Sequence, residues 1–162
     1  MMNEVILELR SLLQTSMGSR CTAYYAGNVA LPMKNELPCV IVREHRTSVD
    51  RSSTAKDRYR FKVSVLVVTD IVTSFNEAGL TNRIVESRQK LRKIMEEGDT
   101  DGAPKADTVL GCLMKQANLR GVSFIYNQTP EVNYDVESPG EFFYVAAEVT
   151  LDLLSDSVSR KA

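Results

Sequence analysis

The stretch RYRFKVSVLVVTD at residues 58–70 decides how the fold is predicted from this sequence. In its first half, cations at every second position alternate with aromatic residues, which is the period-two pattern of a β-strand with one polar face. After Ser64 the run from Val65 to Val68 is apolar on both faces, which is typical of a buried strand. The stretch therefore predicts a long strand that begins at an exposed surface and ends inside the protein.

The residues before this strand predict a partner for it. In PCVIVREH (residues 38–45) the first half is apolar and the second half is charged, so this strand is expected to leave the core and project outward. Thr47–Lys56, TSVDRSSTAK, has almost no apolar content. It predicts an exposed connection of about ten residues, longer than a tight hairpin needs.

Two amphipathic helices are predicted on either side of these strands. Apolar residues recur at three- and four-residue spacing in residues 3–17 and again in a segment that runs to about Glu97. Ser74 with Glu77 matches a capping box for this second helix, whereas Gly79 favours a later start at Thr81. The segment after the second helix, GDTDGAPKAD, predicts a flexible polar loop, and Val109–Lys115 is compatible with either a short helix or a strand.

Further strands are predicted at Cys21–Tyr25, at Leu119–Asn127, which either ends there or continues past Pro130 to Tyr134, and at Glu141–Leu154. Because pairs of strands follow one another without a helix between them, we expect mainly antiparallel pairing. The sequence predicts a single α+β domain over residues 1–155, built as a mainly antiparallel sheet of four to five strands with two helices packed on one face. Residues 156–162 are predicted to be a polar C-terminal tail that frays.

Composition places the chain among soluble globular proteins. It has 162 residues, 43% apolar and 25% charged, with a net charge of -1. Its three cysteines are odd in number and have no C-x-x-C spacing, so they are interpreted as small core residues in a reducing compartment. The first apolar run, VILELRSLL, is short and contains charges, so the sequence predicts no membrane anchor and synthesis in the cytoplasm.

Charge is divided unevenly along the chain. Residues 43–62 carry seven Arg or Lys and three acids, whereas residues 131–156 carry seven acids and no Arg or Lys. Surfaces of opposite sign indicate complementary contacts. The two sets can pair between copies of the chain in a head-to-tail ring, or within one subunit as cross-strand ion pairs. The sequence leaves both alternatives open.

Motifs of enzyme chemistry are missing from the sequence. His45 is the only histidine, and no G-x-S-x-G, G-x-x-x-x-G-K-[ST] or G-x-G-x-x-G pattern occurs. Asp99, Asp101 and Gly102 match only part of a calcium loop and are interpreted as a polar turn. The sequence predicts no catalytic residue, no cofactor and no metal, and therefore a protein that is not an enzyme.

Nucleic-acid binding by the basic 43–62 hairpin is the main alternative from another class, because cations and aromatic side chains together suit phosphates and bases. However, Tyr59 and Phe61 alternate with Arg58, Arg60 and Lys62. On a strand they lie on the opposite face from the cations and are expected to face the core.

The size, the order of elements and several segments resemble the tail terminator proteins of long-tailed bacteriophages, with related head–tail joining proteins close behind. The segments are MNEVILELRSLL, LPCVIVREH, RYRFKVSVLVV, LTNRIVESRQKLRKIMEE, VSFIYNQTPEVNYDV and EFFYVAAEVTLDLL. The resemblance spans nearly the whole chain and carries no residue motif from which individual sites can be transferred.

The resemblance implies a subunit of a hexameric ring that sits on the finished tail tube, ends tail polymerisation and provides the surface for head–tail joining. It implies the tail tube protein and a head–tail connector or neck protein as partners, and DNA that passes through the channel without sequence-specific binding. The location would be the head-proximal end of the tail in the virion, after assembly in the host cytoplasm. A head–tail completion or neck protein is the nearest alternative.

The residues themselves, and not the resemblance, suggest where a protein interface lies. Cations in and beside the Arg46–Arg58 connection would supply steering and register, where charge affects specificity and on-rate more than affinity. Two acids on one face of the last strand are the complementary candidates. The predicted interface residues are Arg46, Arg51, Lys56 and Arg58 in the basic stretch and Glu148 and Asp152 in the last strand.

Overall fold

A computed structural model describes residues 2–27, 34–51, 56–70, 80–115, 118–119, 122–124, 131–136, 144–155 and 158–159. The helices are α1 (Met2–Met17), α2 (Leu80–Glu96) and α3 (Val109–Met114). The strands are β1 (Ala23–Ala26), β2 (Cys39–Asp50), β3 (Lys56–Asp70), β4 (Asn118–Leu119), β5 (Val122–Phe124), β6 (Val132–Val136), β7 (Tyr144–Ser155) and β8 (Val158–Ser159).

The strands form one mixed sheet with the order β1-β2-β3-β7-β5-β4. β1 pairs with β2 in parallel, and the other pairs are antiparallel. β6 also pairs with β7, and β8 pairs with β3. The chain is therefore a single α+β domain, as predicted, with the long antiparallel trio β2, β3 and β7 at its centre.

The helices pack on one face of this sheet, which confirms that part of the prediction. α1 lies against β1 and β2, α2 lies against β3 and β7, and α3 contacts both of these helices. Leu9, Leu13, Leu91 and Met95 are fully buried in one cluster with alternate residues of the sheet, such as Val65. The apolar side chains that recur about every 3.6 residues in the helices and every second residue in the strands thus form one apolar layer.

A smaller apolar cluster lies on the opposite face of the sheet, called here the helix-free face. It contains Cys39, Ile41, Leu66, Val68 and Ala146, all buried. The apolar halves of β2 and β3 contribute side chains to the clusters on both faces of the sheet. This explains why the sequence of each strand is continuously apolar in that half.

The hairpin of β2 and β3 is longer than the sequence indicated. Thr47 to Asp50 pair with Phe61 to Arg58, so the predicted ten-residue connection is wrong. Its first four residues belong to β2, and only Arg51 and the undescribed residues 52–55 separate the two strands. Thr47 to Asp50 are held in the strand by backbone pairing with β3 and carry few apolar side chains. Hydrophobic periodicity therefore does not identify these residues as part of a strand.

The C-terminal segment contributes β8, which lies inside the predicted polar tail. Lys56 pairs with Ser159 and Asp57 with Val158, so these two tail residues are held against the start of β3. The predicted strand Leu119–Asn127 is described as two short strands, β4 and β5, and its last residues lie outside the described part of the chain.

Arg20 joins three parts of the helical layer in what we call the Arg20 clamp. Its Nε donates to Asp107 Oδ2 at 2.9 Å and its Nη2 to Glu97 Oε2 at 2.7 Å. Its Nη1 also donates to the carbonyl oxygen of Lys93, 3.2 Å away. The side chain therefore ties the residues after α1 to the end of α2 and to the loop that leads into α3.

The loop predicted to be flexible has a hydrogen-bonded framework. Asp99 Oδ1 accepts from the backbone N–H groups of Asp101 and Ala103, and Lys105 Nζ donates to Glu97 Oε1 at 3.3 Å. Thr108 then caps α3, because its Oγ1 accepts from the N–H of Gly111 at 3.1 Å. The partial calcium pattern is thus a turn whose Asp99 carboxylate binds its own backbone.

Candidate interaction surface

A β-bulge in β2 determines which side chains share the helix-free face. Arg43 pairs with Ser64 and Arg46 with Lys62, so Glu44 and His45 together lie opposite Val63. The extra residue reverses the alternation of β2 beyond this point. Without it, Arg46 would point towards the helices; with it, Arg46 lies on the helix-free face beside Lys62.

Before the bulge, the charges on the helix-free face are joined to each other. Arg43 donates from Nη2 to Glu148 Oε2 and from Nε to Ser64 Oγ, which is 3.2 Å away. His45 Nε2 lies 2.9 Å from the same hydroxyl oxygen. Glu148, a predicted interface residue, is therefore engaged by a cation of its own chain. For this pair, the basic and acidic stretches meet within one subunit.

Beyond the bulge, cations and one acid are neighbours across the strands of the helix-free face. Lys62 has Arg46 as its neighbour on one side and Asp152 on the other. The next row pairs Ser48 with Arg60. These residues, together with Phe61 and Leu153, whose side chains are buried in the main core, line a concavity of about 230 Å³. We call this the basic concavity; its described lining contains three cations and one carboxylate.

The structure separates the predicted interface residues into four groups. Arg46 and Asp152 come together at the basic concavity, and Glu148 belongs to the Arg43 network. Arg58 pairs with Asp50 in the last described row of the hairpin. Arg51 and Lys56 are exposed at the ends of its two strands.

Arg60 and Lys62 line the basic concavity, but they were not among the interface residues predicted from the sequence. Arg58, Arg60 and Lys62 occupy every second position in RYRFK, so the sequence places all three on one face of the strand. This pattern could have identified Arg60 and Lys62 together with Arg58. The proximity of Arg46 was not predictable in the same way, because it depends on the bulge.

The aromatic side chains of the hairpin lie on the opposite face from the cations, as predicted. The rings of Tyr59 and Phe61 are stacked with centroids 6.3 Å apart and planes 6° from parallel. Phe61 is buried in the main core and Tyr59 packs against it. Val49 is paired with Tyr59 and remains half exposed. The cationic face thus has no aromatic side chain of β2 or β3 on which a base can stack.

The Ser64–His45 pair does not have the geometry of a nucleophile and its base. The side chain of Ser64 has no exposed area, and its oxygen also accepts from Arg43. The carboxylate of this network, Glu148, is bonded to Arg43. A nucleophilic serine must reach its substrate, so this arrangement supports packing of the sheet more readily than acyl transfer.

The three thiols are buried and free. Burial raises the pKa of Cys21 to about 12 and that of Cys39 to about 11, and it also raises the pKa of Cys112. They are therefore protonated at neutral pH and act as core side chains. Within the described ranges, no group of three His, Cys, Asp or Glu residues could hold a metal ion.

No protein-family model matches the chain, and no curated protein matches it. Of the helices in the described residues, none has the length and apolar character required to cross a membrane.

Proposed function

We propose that this chain is a structural subunit of a long-tailed phage that caps the tail tube as a ring, ends tail polymerisation and provides the surface for head–tail joining. The proposal rests on the pattern resemblance of the sequence together with the projecting β2–β3 hairpin. The observation that carries it is the basic concavity, where a strand pair extends beyond the helical layer and presents an excess of cations.

Capping of this kind is a geometric function. One face of the ring would match the last ring of the tube, and the other face would not continue the lattice, so growth stops there. A head-to-tail contact between unlike surfaces closes into a ring when its rotation is suitable. The hairpin supplies one such surface, with Arg46, Arg51, Lys56 and Arg58 at positions where charge sets register and on-rate.

The fold agrees with a role in assembly. In the described chain, the buried polar side chains Ser64, Thr69, Ser87 and Thr108 lie in strands, a helix and a cap. Binding energy for assembly comes instead from surfaces, and the hairpin has two different ones: cations on one side, and Val49 with Tyr59 on the other.

Tail length in the source phage tests the proposal. We expect that deleting the gene gives tails longer than those of the wild type that do not join heads, and that the purified protein added to such tails forms a ring at one end in negative stain. Tails of normal length that fail to join heads would instead favour the neck protein, the nearest alternative. Normal, infectious particles would contradict both.

A nucleic-acid-binding module is the second candidate function, and Arg46, Arg60 and Lys62 on one face favour it. The stacked pair Tyr59 and Phe61 on the other face opposes it, because single-stranded nucleic acid is usually held by aromatic platforms beside the cations. Binding of a DNA oligonucleotide that falls steeply with rising salt would support this candidate.

A further inference from the structure

We propose that the basic concavity binds a carboxylate-rich protein segment, and that this segment is the acid-rich stretch 131–156 of a second copy of the chain. The identity of the second copy as a ring neighbour rests on the proposed function. The chemical class of the ligand follows from the concavity itself.

The first argument is the cost of placing like charges together. Arg46 and Lys62 are direct neighbours across the β2–β3 ladder, and like charges in that position destabilise a sheet. Asp152 lies across the β3–β7 ladder on the other side of Lys62, so it faces Lys62 and not Arg46. Two rows further into the sheet, Arg43 lies opposite the uncharged Ser64 and forms an ion pair with Glu148. An anionic group seated between Arg46 and Lys62 would remove the repulsion, because Arg offers a planar fork that matches a carboxylate and Lys adds a point charge.

The second argument is size. The concavity of about 230 Å³ lies below the range of roughly 300–1,000 Å³ that is usual for sites of drug-sized ligands. It has room for the head groups of one or two side chains. Ser48 at its edge adds a hydroxyl donor, while Asp152 repels a second carboxylate from that end. The site is thus suited to acidic side chains on a protein surface.

The third argument selects the occupant. The stretch 131–156 has seven acids and no Arg or Lys. Of these acids, Glu148 is bound to Arg43 and Asp152 lines the concavity itself, whereas Glu131 is exposed at the start of β6. We therefore assign the contact with another copy to the acids of residues 131–141, of which Glu131 is exposed. A nucleic acid is less well suited, because Tyr59 and Phe61 lie on the other side of the hairpin.

Binding of a fluorescein-labelled peptide of residues 131–141, EVNYDVESPGE, to the purified full chain tests this inference by fluorescence anisotropy. We expect saturable binding that weakens at least about tenfold when Arg46→Glu and Lys62→Glu are combined. The matched control is Lys90→Glu, an exposed charge reversal on α2, which should bind the peptide as the wild type does. A peptide in which the four acids are replaced by Asn or Gln should not bind.

Three results would overturn the inference, provided that circular dichroism shows the variants to be folded. One is the absence of saturable binding to the wild type. Another is equal binding by the double variant. The third is a DNA duplex that binds through Arg46 and Lys62 more tightly than the peptide does. The proposed function fails separately, through normal tail length in the deletion strain, so the two failures are distinguishable.

Discussion

Arg20 and Arg46 are both partly or fully exposed arginines, yet the fold surrounds them in opposite ways. Arg20 binds two carboxylates and a carbonyl oxygen of its own chain, at the junction of the three helical segments. Arg46 lies across the ladder from Lys62, in a concavity where cations outnumber carboxylates. The difference indicates that the first charge stabilises the subunit, whereas the second has no such role in what we propose and is available to a partner.

The largest effect is expected from disturbing the loop on which the Arg20 clamp depends. A Cβ on Gly111 would lie 1.8 Å from the carbonyl oxygen of Lys105, so Gly111→Ala must displace the loop that carries Asp107. We expect a loss of about 3 kcal/mol in the free energy of unfolding, as for overpacked interiors. Urea denaturation followed by circular dichroism measures it.

Gly98→Ala is the matched control for that change, because its Cβ would meet Gly102 O at 3.3 Å, a contact that a small shift relieves. It should cost about 1 kcal/mol or less. Equal losses for the two variants would show that the close approach at Gly111 is not what holds the loop.

Removing the arginine of the clamp is expected to have the next largest effect. Arg20→Ala leaves Glu97 and Asp107 without their shared donor and disconnects the end of α2 from the α3 loop. Because the group is partly exposed, we expect a loss of about 1 kcal/mol. Arg20→Lys should recover only part of it, since a single ammonium does not reproduce the two-pronged contact with Asp107. Recovery of the full stability by Arg20→Lys would argue against that geometry.

The clamp also makes stability depend on pH in a defined direction. Hydrogen bonds from Arg20 lower the pKa of Asp107 below its ordinary value of 3.8 and that of Glu97 below 4.5. Carboxylates with a lowered folded pKa stabilise the protein above the unfolded values and lose that contribution as the pH falls through the folded values. The difference in Tm between the wild type and Arg20→Ala should therefore be full near pH 6 and decrease as the pH falls below the ordinary values of 4.5 and 3.8.

Thermal unfolding at several pH values checks this dependence. A difference in Tm that stays constant down to pH 3 would mean that Arg20 acts through packing of its side chain and not through the two carboxylates.

The two regions also differ in how far the sequence predicted them. The alternation in residues 58–63 predicted β3, its polar face and the inward position of Phe61, because each depends only on neighbours along the strand. The period of the helices likewise predicted α1 and α2. Arg20 and Asp107 are 87 residues apart, and no local pattern marks two surface charges that meet only in the folded chain.

The candidate site was predicted only in part, because its residues also meet only in the folded chain. Arg46 and Asp152 were identified from charge, but their meeting around Lys62 depends on the extra residue at Glu44 and His45. A bulge shifts the register by one without changing the composition, so periodicity does not reveal it. The sequence also did not predict the parallel pairing of β1, because its antiparallel expectation came from the longer strands.

Arg43, like Arg20, is paired with a carboxylate of its own chain, and its replacement is expected to lower the free energy of unfolding by a smaller amount. Arg43→Gln removes the cation from Glu148, whose side chain is 17% exposed, and one donor from Ser64. We expect a loss of about 0.5–1 kcal/mol in urea denaturation. The combination with Glu148→Gln should cost less than the sum of the single changes, as for any directly coupled pair. Strict additivity would contradict the ion pair.

The smallest effect, and the one of opposite sign, is expected at Arg46. Arg46→Gln removes a positive charge from the side of Lys62 while keeping a polar side chain of similar length, so the isolated subunit should gain a few tenths of a kcal/mol at low salt. Arg58→Gln is the control, because Arg58 lies opposite Asp50 and its loss should be slightly destabilising. Raising the ionic strength should reduce both effects, since these side chains are exposed.

If Arg46→Gln instead lowers stability as much as Arg43→Gln, Arg46 has a stabilising role within its own chain and the contrast with Arg20 fails. If it stabilises the subunit but weakens assembly, the repulsion at the basic concavity is a cost that only a bound partner removes.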